Sequence, residues 1–585
     1  MLFALLTDRR RITYRISFFL LLAFILVITG LVARTGCSHQ DDMTWDTIFM
    51  LDGAYRLHSG QMPHVDYFSQ IGVFPFWLIS LGMSIGGVNA NALAYGGALG
   101  FVFITLLAWF IAARRFSAFF SLSLSLLVGG LFIASRPMSF GLLNYLLEFS
   151  HASYAMWYNR VGWALLSLLA IQSFLSPHSR EGSETVNDGE ACIAGCLTFL
   201  LALTKVNYLA AALGIGLAGL CVTRPGWRRV FWYVAGMAFL PLVLWAFTRF
   251  SFRAYLGDLV TLGRLADTHD RLVRLVQLFV INLPDILCVG AVLWLLKPFC
   301  GGPHGAWREG GIGRLVVICG ACVAIGLVVL TLDMQWHEIP LLAVACAVVW
   351  ETAFRGSGAA DAPSSEIVRV RLMGGAALFL FLFSGTFVND GASIVYSWAF
   401  KNHMRYLTPD SGLIKSESLG SLLLPPQPGE QVEQPNVVRG LLTRRDFSPY
   451  MTGRVSLTPY QYAHLVNDGL ALLRPHVTPA SRIFCMDLMN PFPLALLLPP
   501  PKGGSLWWDR RTFSHQIFPS PQRVFGEVTH VMVPKIGLNG AEDLREVYGA
   551  YLTEHFSHAS ESALWDLYLK TARDRGDLTQ STGRE

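Results

Sequence analysis

Acidic residues gather just after the first apolar run of the sequence. A carboxylate beside a membrane can act as a general base toward an acceptor hydroxyl or amine. The same charges are also typical of a solvated polar loop, because loops are polar by default. The acids concerned are Asp41, Asp42, Asp46, Asp52 and Asp66. The choice between catalysis and solvation depends on what else reaches the same side of the membrane.

Cations and polar groups interrupt the later apolar runs. A charge close to hydrocarbon is costly and usually has a partner or a ligand. Arg and Lys both bind phosphate, and Arg can do so through two parallel hydrogen bonds. We therefore predict that a lipid phosphate is bound by Lys205, Arg160, Arg264 and Arg271. The alternatives are snorkelling of Arg160 at a helix end and simple solvation of the loop arginines.

Further polar residues are predicted on the same face. Substrate contacts are predicted for Asp66, Asn159, His337 and Glu338, although the last two also suit a structural pair. Glu148 and His151 are the candidate ligands for a divalent metal. One Glu and one His do not complete a metal site, so a metal requirement is left open and no other cofactor is indicated.

The composition defines the class of protein that carries these residues. The chain has 585 residues, of which 53% are hydrophobic and 15% are charged, and its mean hydropathy is +0.45. Soluble domains carry about 25% charged residues, so most of this chain must face lipid. A net charge of +5 is small for this length and gives no indication of nucleic-acid binding.

The apolar runs predict a polytopic α-helical protein. Arg9, Arg10, Arg11 and Arg15 precede the first run and keep the N-terminus in the cytoplasm. Eleven spans follow, if 72–87 is a juxtamembrane helix that does not cross, and basic residues then collect in the inner loops. The predicted spans are 16–33, 92–112, 117–134, 161–175, 190–204, 207–222, 230–248, 276–296, 314–332, 338–353 and 372–389.

The loop between the first two spans, residues 34–91, has its own helical pattern. Apolar residues recur at helical spacing from Asp46 to His58, which predicts a helix lying in the membrane interface with its apolar face down. Gly60 and Pro63 should end it, because Gly frees the backbone and Pro cannot continue the hydrogen-bond ladder.

Composition changes near residue 390, where charge, Pro and Gly become frequent. Short apolar runs at 482–486 and 530–533 predict buried strands, and 459–473 and 541–555 predict helices. Thr458 should cap the first of these helices, with Pro459 at its first position. We predict a transmembrane domain over 1–389 and an extracytoplasmic α/β domain over 390–585, with a disulfide between Cys37 and Cys485 as an untested option.

Two segments carry a resemblance to a known superfamily. Residues 54–68, with Gly60, Pro63, Asp66 and Tyr67 at fixed spacing, resemble the A…GxxPxxDY/F stretch that precedes the second juxtamembrane helix of the GT-C membrane glycosyltransferases. That superfamily includes the protein O-mannosyltransferases and the lipid A aminoarabinose transferases. Residues 157–163 are similar to a segment of related bacterial members. The resemblance covers roughly the first 250 residues.

The resemblance implies transfer of a sugar from a polyprenyl-phosphate carrier on the non-cytoplasmic face. It also implies an acidic base in the first outer loop and, in some members, a divalent metal. Asp46 has the more family-like spacing from Gly60, whereas Asp42 has the more family-like acidic neighbour. Asp46 is preferred, and Asp42 stays open.

The sequence therefore predicts a glycosyltransferase of a bacterial inner membrane, with its C-terminal domain in the periplasm. Its partners would be the lipid-linked sugar, membrane lipid and an unidentified glycan, lipid or protein acceptor. The rival functions are a transporter or flippase for a lipid-linked or anionic solute and a non-catalytic cell-envelope assembly protein. A transporter is expected to show internal repeats and polar groups at mid-membrane. No repeat is evident and the charges lie at one face, and Lys205 is the residue that most favours this rival.

Overall fold

The computed structural model describes residues 9–37, 44–133, 153–177, 184–223, 226–265, 270–299, 311–333, 339–356, 366–426, 457–509, 518–536 and 541–571. Within these ranges an N-terminal helical bundle is followed by a C-terminal unit that contains a small sheet. The predicted order, a polytopic helical membrane part first and an α/β part last, is confirmed.

Fifteen helices of eleven residues or more make up the N-terminal part of the described chain. They are α1 (Arg9–Thr35), α2 (Thr44–His58), α3 (Phe74–Gly86), α4 (Ala92–Ala112), α5 (Ala118–Ile133), α6 (Trp157–Phe174), α7 (Glu184–Ala202), α8 (Val206–Thr223), α9 (Trp227–Phe247), α10 (Phe252–Leu265), α11 (Arg271–Ile281), α12 (Leu283–Leu296), α13 (Ile312–Asp333), α14 (Leu341–Gly356) and α15 (Glu366–Leu407).

Several of these helices are long and apolar enough to cross a membrane. Five described helices meet that requirement by length and composition, and a sixth span is counted if the bent pair α11–α12 is one. A bilayer needs about 20 apolar residues, and shorter apolar helices, α3 and α5 among them, fall below that length. The chain is an integral membrane protein, and the total of eleven spans stays a prediction.

The sequence predicted one continuous span over 276–296, and this prediction is wrong in one respect. Two helices, α11 and α12, meet there at an angle of 57°. Pro284 lies in the first turn of α12, where its missing N–H costs nothing, but it cannot continue the hydrogen bonding of α11. The Asn282 side chain donates to the Leu278 carbonyl at 2.9 Å and so closes the end of α11.

Helix α2 is enclosed by protein to a greater extent than its amphipathic pattern predicted, and its position in the membrane interface stays a prediction. Twelve of its fifteen residues are buried. One side packs against α3, where Gly53 faces the Phe76 ring so closely that a Cβ would lie 2.3 Å from it. The other side lies under the C-terminal unit. The helix ends at His58, and Gly60 follows with φ +85°, as the sequence predicted.

The last bundle helix runs well past the predicted end of its span. α15 is continuous for 42 residues from Glu366 to Leu407 and so passes through residue 390, where the domain boundary is predicted. A helix of this length rises about 60 Å, roughly twice the hydrocarbon thickness of a bilayer. The bundle and the C-terminal unit are thus joined by a continuous helix, and the division into two domains remains a prediction.

The C-terminal unit is built on a four-stranded mixed sheet in the order β1-β2-β4-β3. Strands β1 and β2 are parallel, and the other neighbours are antiparallel. Its elements are α16 (Pro459–Leu473), β1 (Ile483–Cys485), α17 (Phe492–Ala495), α18 (Pro521–Phe525), β2 (His530–Pro534), α19 (Ala541–His555), β3 (Phe556–Glu561) and β4 (Trp565–Lys570).

Several of these elements lie where local sequence signals predicted them. Thr458 caps α16 in a reciprocal capping box with Gln461, and Pro459 follows it at the first helical position. Strands β1 and β2 are buried along their whole length. Strands β3 and β4 were not predicted. The disulfide between Cys37 and Cys485, which the sequence left open, is not formed; both residues are buried, and burial raises the pKa of the Cys37 thiol to about 12.

The C-terminal unit and the bundle share one hydrophobic core. A single buried cluster runs from Leu21 of α1 to Trp565 and Leu567 of β4. Residues 498–508 form the contact with the loop after α2: Phe68 accepts from Leu506 N and donates to Gly504 O, both at 3.0 Å. We call the bundle end that meets the C-terminal unit the Asp46 end, and the opposite end the Arg115 end.

Candidate active site

The candidate site begins with Asp46 in the first turn of α2. A carboxylate there is favoured because the unpaired N–H groups of a helix start carry partial positive charge. Only 6% of Asp46 is exposed, so the acid is enclosed by protein. Phe49 lies three residues later and therefore on the same face of the helix. The contacts of Phe49 show what that face meets.

Three aromatic rings, which we call the aromatic wall, line this region. Phe49 lies edge-on to Tyr158 of α6, with ring centroids 6.4 Å apart, and edge-on to Trp507 at 5.3 Å. The wall thus joins α2, α6 and the C-terminal unit. Trp507 and Tyr158 are half-buried, whereas Trp508 is buried among Phe484 and other rings of the C-terminal core. Trp508 therefore packs in the core of the C-terminal unit.

Lys205 borders the aromatic wall at Tyr158. Its ammonium lies 5.2 Å from the centre of the Tyr158 ring and 2.9 Å from Oδ1 of Asp333 at the end of α13. Asn207 donates to the same oxygen at 2.7 Å. Lys205 lies between α7 and α8, at the Asp46 end of the bundle and not midway along a span. A charge at this position was expected to have a partner, and Asp333 is that partner.

Arg160 is enclosed by the bundle. Its Nη2 lies 2.5 Å from Oδ2 of Asp390 in α15, and the two side chains are 3% and 2% exposed. From the sequence, Arg160 was expected either to bind a phosphate or to snorkel. A buried ion pair with Asp390 was not among these alternatives. A guanidinium that is paired and covered in this way is suited to holding α6 against α15, and snorkelling is excluded because the head group does not reach water.

The two loop arginines predicted to bind phosphate occupy different positions. Arg264 is in the last turn of α10 and is exposed. Among the described side chains of α10, the buried one is Tyr255, nine positions earlier and so on the opposite face of the helix. Arg271 is half-buried at the first position of α11. The structure brings neither side chain into a described contact with the aromatic wall.

Asp66 ties three parts of the chain together. Its Oδ2 accepts from Met62 N at 2.8 Å, and its Oδ1 lies 3.4 Å from Arg249 and 3.6 Å from Lys502. Its carbonyl accepts from Gly503 N at 2.7 Å. Asp66 is a predicted substrate contact, and these contacts show that it also holds three parts of the chain together. Lys502 was missed by sequence reasoning, although a lone cation between Pro501 and Gly503 was the available signal.

His64 fixes α10 to the loop after α2. It is buried, and its Nδ1 lies 2.8 Å from Oδ2 of Asp258. Its φ of +70° is uncommon for a residue with a side chain, so the surrounding contacts must hold it there. Tyr255 packs edge-on against its ring at 4.8 Å. No local pattern in the sequence indicates this pair, because its members are 194 positions apart.

Asn159 is a predicted substrate contact whose side-chain amide has unused hydrogen-bonding capacity. Its backbone carbonyl accepts from Tyr208 Oη at 2.8 Å. Its side-chain oxygen and nitrogen are both buried without a hydrogen-bond partner in the described chain. Buried polar atoms are nearly always hydrogen-bonded, so this amide has the capacity to bind a ligand or a water beside Tyr158.

A buried ion pair within α2 was also missed. Arg56 Nε lies 3.0 Å from Asp52 Oδ2, and Arg56 Nη1 donates to the Pro501 carbonyl at 2.7 Å. Burial raises the pKa of the Asp52 carboxyl above its usual value, while the charge and hydrogen bond of Arg56 oppose the rise. The pair anchors α2 to the C-terminal unit. The spacing of four residues was the signal that could have identified it.

Several predicted site residues lie outside the described residues: Asp42, Glu148, His151, His337 and Glu338. Among the residues that the structure does describe, one group could hold a metal ion, namely His558, Glu561 and Asp566 on strands β3 and β4. His558 and Glu561 are exposed, Glu561 binds Lys535, and the group belongs to neither outer loop. It does not correspond to the metal site considered from the sequence.

Comparison with known proteins gives a similarity of structure only. No family model matches the chain, and no curated protein sequence matches it. The fold is similar to that of ArnT from Cupriavidus metallidurans in a crystal structure bound to undecaprenyl phosphate, with a TM-score of 0.42 and 13% sequence identity over 95% of this chain and 98% of that chain. The apo structure of the same ArnT gives a TM-score of 0.41 and 12% identity over the same shares.

Proposed function

We propose that this protein is a membrane glycosyltransferase that moves a sugar from a polyprenyl-phosphate donor to an acceptor, with Asp46 as general base. The observation that carries the proposal is the set of contacts from Phe49 across Tyr158 to the Lys205 ammonium, with Asp46 on the same face of α2 as Phe49, three residues before it. A base and a cation thus border one aromatic wall between membrane helices and the C-terminal unit. The carrier would be a polyprenyl phosphate of the undecaprenyl type.

The proposed reaction is a direct displacement at the anomeric carbon. The Asp46 carboxylate takes the proton from the acceptor hydroxyl or amine, whose oxygen or nitrogen then bonds to the sugar carbon. The bond between that carbon and the phosphate oxygen breaks, and polyprenyl phosphate leaves with both electrons. Attack from the face opposite the leaving group inverts the configuration. A positioned base contributes about 10²–10⁴-fold to such a rate.

Lys205 is proposed to stabilise the departing phosphate. An ammonium has three donors, and one of them is directed to Asp333. The side chain is still 18% exposed, so a phosphate oxygen can approach beside the Tyr158 ring. Asp333 and Asn207 would hold the lysine in place, and the exposed faces of Trp507 and Tyr158 would stack on the sugar. Asn159 and Asp66 would contact the substrate through their polar atoms.

The proposed setting is a bacterial inner membrane with the C-terminal unit in the periplasm. The Arg115 end of the bundle carries Arg114, Arg115, Arg228 and Arg229. An excess of Lys and Arg is typical of cytoplasmic loops, so the Asp46 end would face the periplasm and the N-terminus the cytoplasm. A divalent metal in the outer loops remains a proposal that rests on Glu148 and His151 alone.

The test is lipid-linked sugar profiling of a deletion strain. Deletion should cause one polyprenyl-phosphate sugar to accumulate, which mass spectrometry of lipid extracts would identify. The full-length protein should clear it, whereas Asp46→Asn should fail at equal protein level in the membrane fraction. Asp410→Asn, which changes an exposed acid outside the site, should behave as the unmodified chain.

The same strain distinguishes the two candidate bases. If Asp46→Asn is active and Asp42→Asn is not, the base is Asp42. Full clearance by both variants would show that neither carboxylate is the base. Absence of any accumulating polyprenyl-phosphate sugar, together with unchanged envelope glycans, would contradict the transferase proposal itself.

A further inference from the structure

A cavity of about 350 Å³ lies at the Arg115 end of the bundle, away from the candidate active site. It is bordered by the first turns of α7 and α9, the last turns of α8 and the end of α6. Most of its lining is apolar, with Leu213, Leu217 and Val230 among the contributors. The polar lining includes Arg115, Glu190 and Arg229.

Unequal helix spacing creates this cavity. α7 and α9 pack backbone to backbone, since a Cβ at Gly236 would lie 2.0 Å from the Cys192 carbonyl. α8 stays further from α9, because a Cβ at Gly216 would lie 3.6 Å from Tyr233 Oη, which is ordinary contact. Leu213 and Leu217 are 50% and 65% exposed. The cavity therefore opens sideways, toward the lipid.

Among the side chains that the structure describes, one cation in the cavity has no acidic partner. The Arg115 guanidinium donates to both oxygens of Glu190 and to the Leu175 carbonyl, and Glu190 also binds Arg114 at 3.0 Å. Arg228 is paired with Asp188 at 2.6 Å. Arg229 is half-buried and lines the cavity, and no acid lies within ion-pair distance of it among the side chains that the structure describes, which do not include those of residues 178–187. An anion is therefore the complementary ligand.

We propose that this cavity, which we call the α8–α9 cleft, binds an anionic phospholipid. The lipid phosphate would pair with Arg229, and an acyl chain would occupy the apolar part of the cleft. Basic pockets between membrane helices on the cytoplasmic side are typical sites for anionic head groups. The lateral opening and the apolar walls favour a lipid over a soluble phosphate. The inference is independent of the glycosyltransferase proposal, because it concerns the opposite end of the bundle.

Native mass spectrometry of the full chain in detergent would test the proposal. The protein is titrated with phosphatidylglycerol and with phosphatidylcholine of the same acyl chains. We expect one bound phosphatidylglycerol with at least tenfold tighter affinity than phosphatidylcholine. Arg229→Gln should remove this preference. Gly216→Leu should weaken both lipids, because its side chain fills the cleft without clashing at Cβ.

Arg228→Gln is the matched control. It removes the same charge one residue away, from a side chain that is not part of the cleft lining, and should retain the preference. Thermal unfolding of each variant checks that the bundle is intact. Equal loss in Arg228→Gln and Arg229→Gln, or an unchanged preference in both cleft variants, would overturn the proposal. Displacement of the lipid by an equal concentration of glycerol phosphate would show a soluble-phosphate site and also overturn it.

Discussion

Two ion pairs join helices toward the Asp46 end of the bundle, and they differ in how far the cation is enclosed. Arg160 binds Asp390 across α6 and α15, and both side chains are almost fully covered. Lys205 binds Asp333 between the α7–α8 connection and α13, where the acid is fully buried but the ammonium is partly open. The Lys205 ammonium also lies over Tyr158, a member of the aromatic wall.

The difference separates two roles for charge in a membrane protein. A pair that is closed on all sides cannot exchange its partner for a ligand, so its effect is on stability. A pair that is open on one side keeps donors for an anion while the buried acid holds it in place. Exposure at the cation, and not its distance from the acid, is what distinguishes Arg160 from Lys205.

The largest expected effect follows from breaking the closed pair. Arg160→Met or Asp390→Asn leaves one buried charge without a partner, which costs about 3–5 kcal/mol in the free energy of unfolding. The double variant Arg160→Met with Asp390→Asn should recover most of that loss, because no charge is left unpaired. Denaturant unfolding in detergent measures all three. Single variants that keep full stability but lose sugar transfer would show that Arg160 contacts substrate, as the sequence first indicated.

The partly open pair of Lys205 and Asp333 should respond differently when both of its members are substituted. The double variant Lys205→Met with Asp333→Asn leaves no unpaired charge, so the protein should fold. A hydrogen bond to a charged group contributes about 1.5–3 kcal/mol, so we expect roughly a ten- to hundredfold fall in kcat/KM for the lipid-linked donor. The matched control is the double variant at Arg160 and Asp390, which should keep transfer. Equal activity in the two double variants would remove the distinction between the pairs.

Local signals explain which elements could be predicted from the sequence. The helix from Pro459 to Leu473 has a capping residue and Pro at its start, and β2 is a short apolar run. Strand β3 was missed because it is exposed along most of its length and so has no alternating apolar pattern. The burial of α2 was missed because its polar face is covered by residues 498–508, more than 400 positions away.

The candidate site could be predicted only in part, for the same reason. The residue types at Asp46, Arg160 and Lys205 identified costly charges near a membrane, and that signal is local. Their partners are not local: Asp390 is 230 positions from Arg160 in the chain. Periodicity and composition contain no information on such pairings, which is why the closed and the open pair looked alike in the sequence.

A third pair, on the protein surface, should show the smallest effect and complete the comparison. On the C-terminal sheet, Lys535 Nζ donates to Glu561 Oε2 at 2.7 Å. The hydrogen bond and charge of Lys535 hold the pKa of the Glu561 carboxyl below its ordinary value of 4.5. A lowered pKa in the folded state means that the stabilisation is present above pH 4.5 and is lost as the pH falls through the folded-state pKa.

Thermal unfolding of the unmodified chain and of Glu561→Gln at low salt, over a range of pH, measures this effect. The unmodified chain should unfold at a slightly higher temperature above pH 4.5, and the two curves should meet under more acid conditions, where the carboxyl is protonated. Salt should reduce the difference, since water and ions screen exposed pairs. A difference that persists in acid, or one as large as that of the Arg160 variants, would mean that enclosure does not set the strength of these pairs.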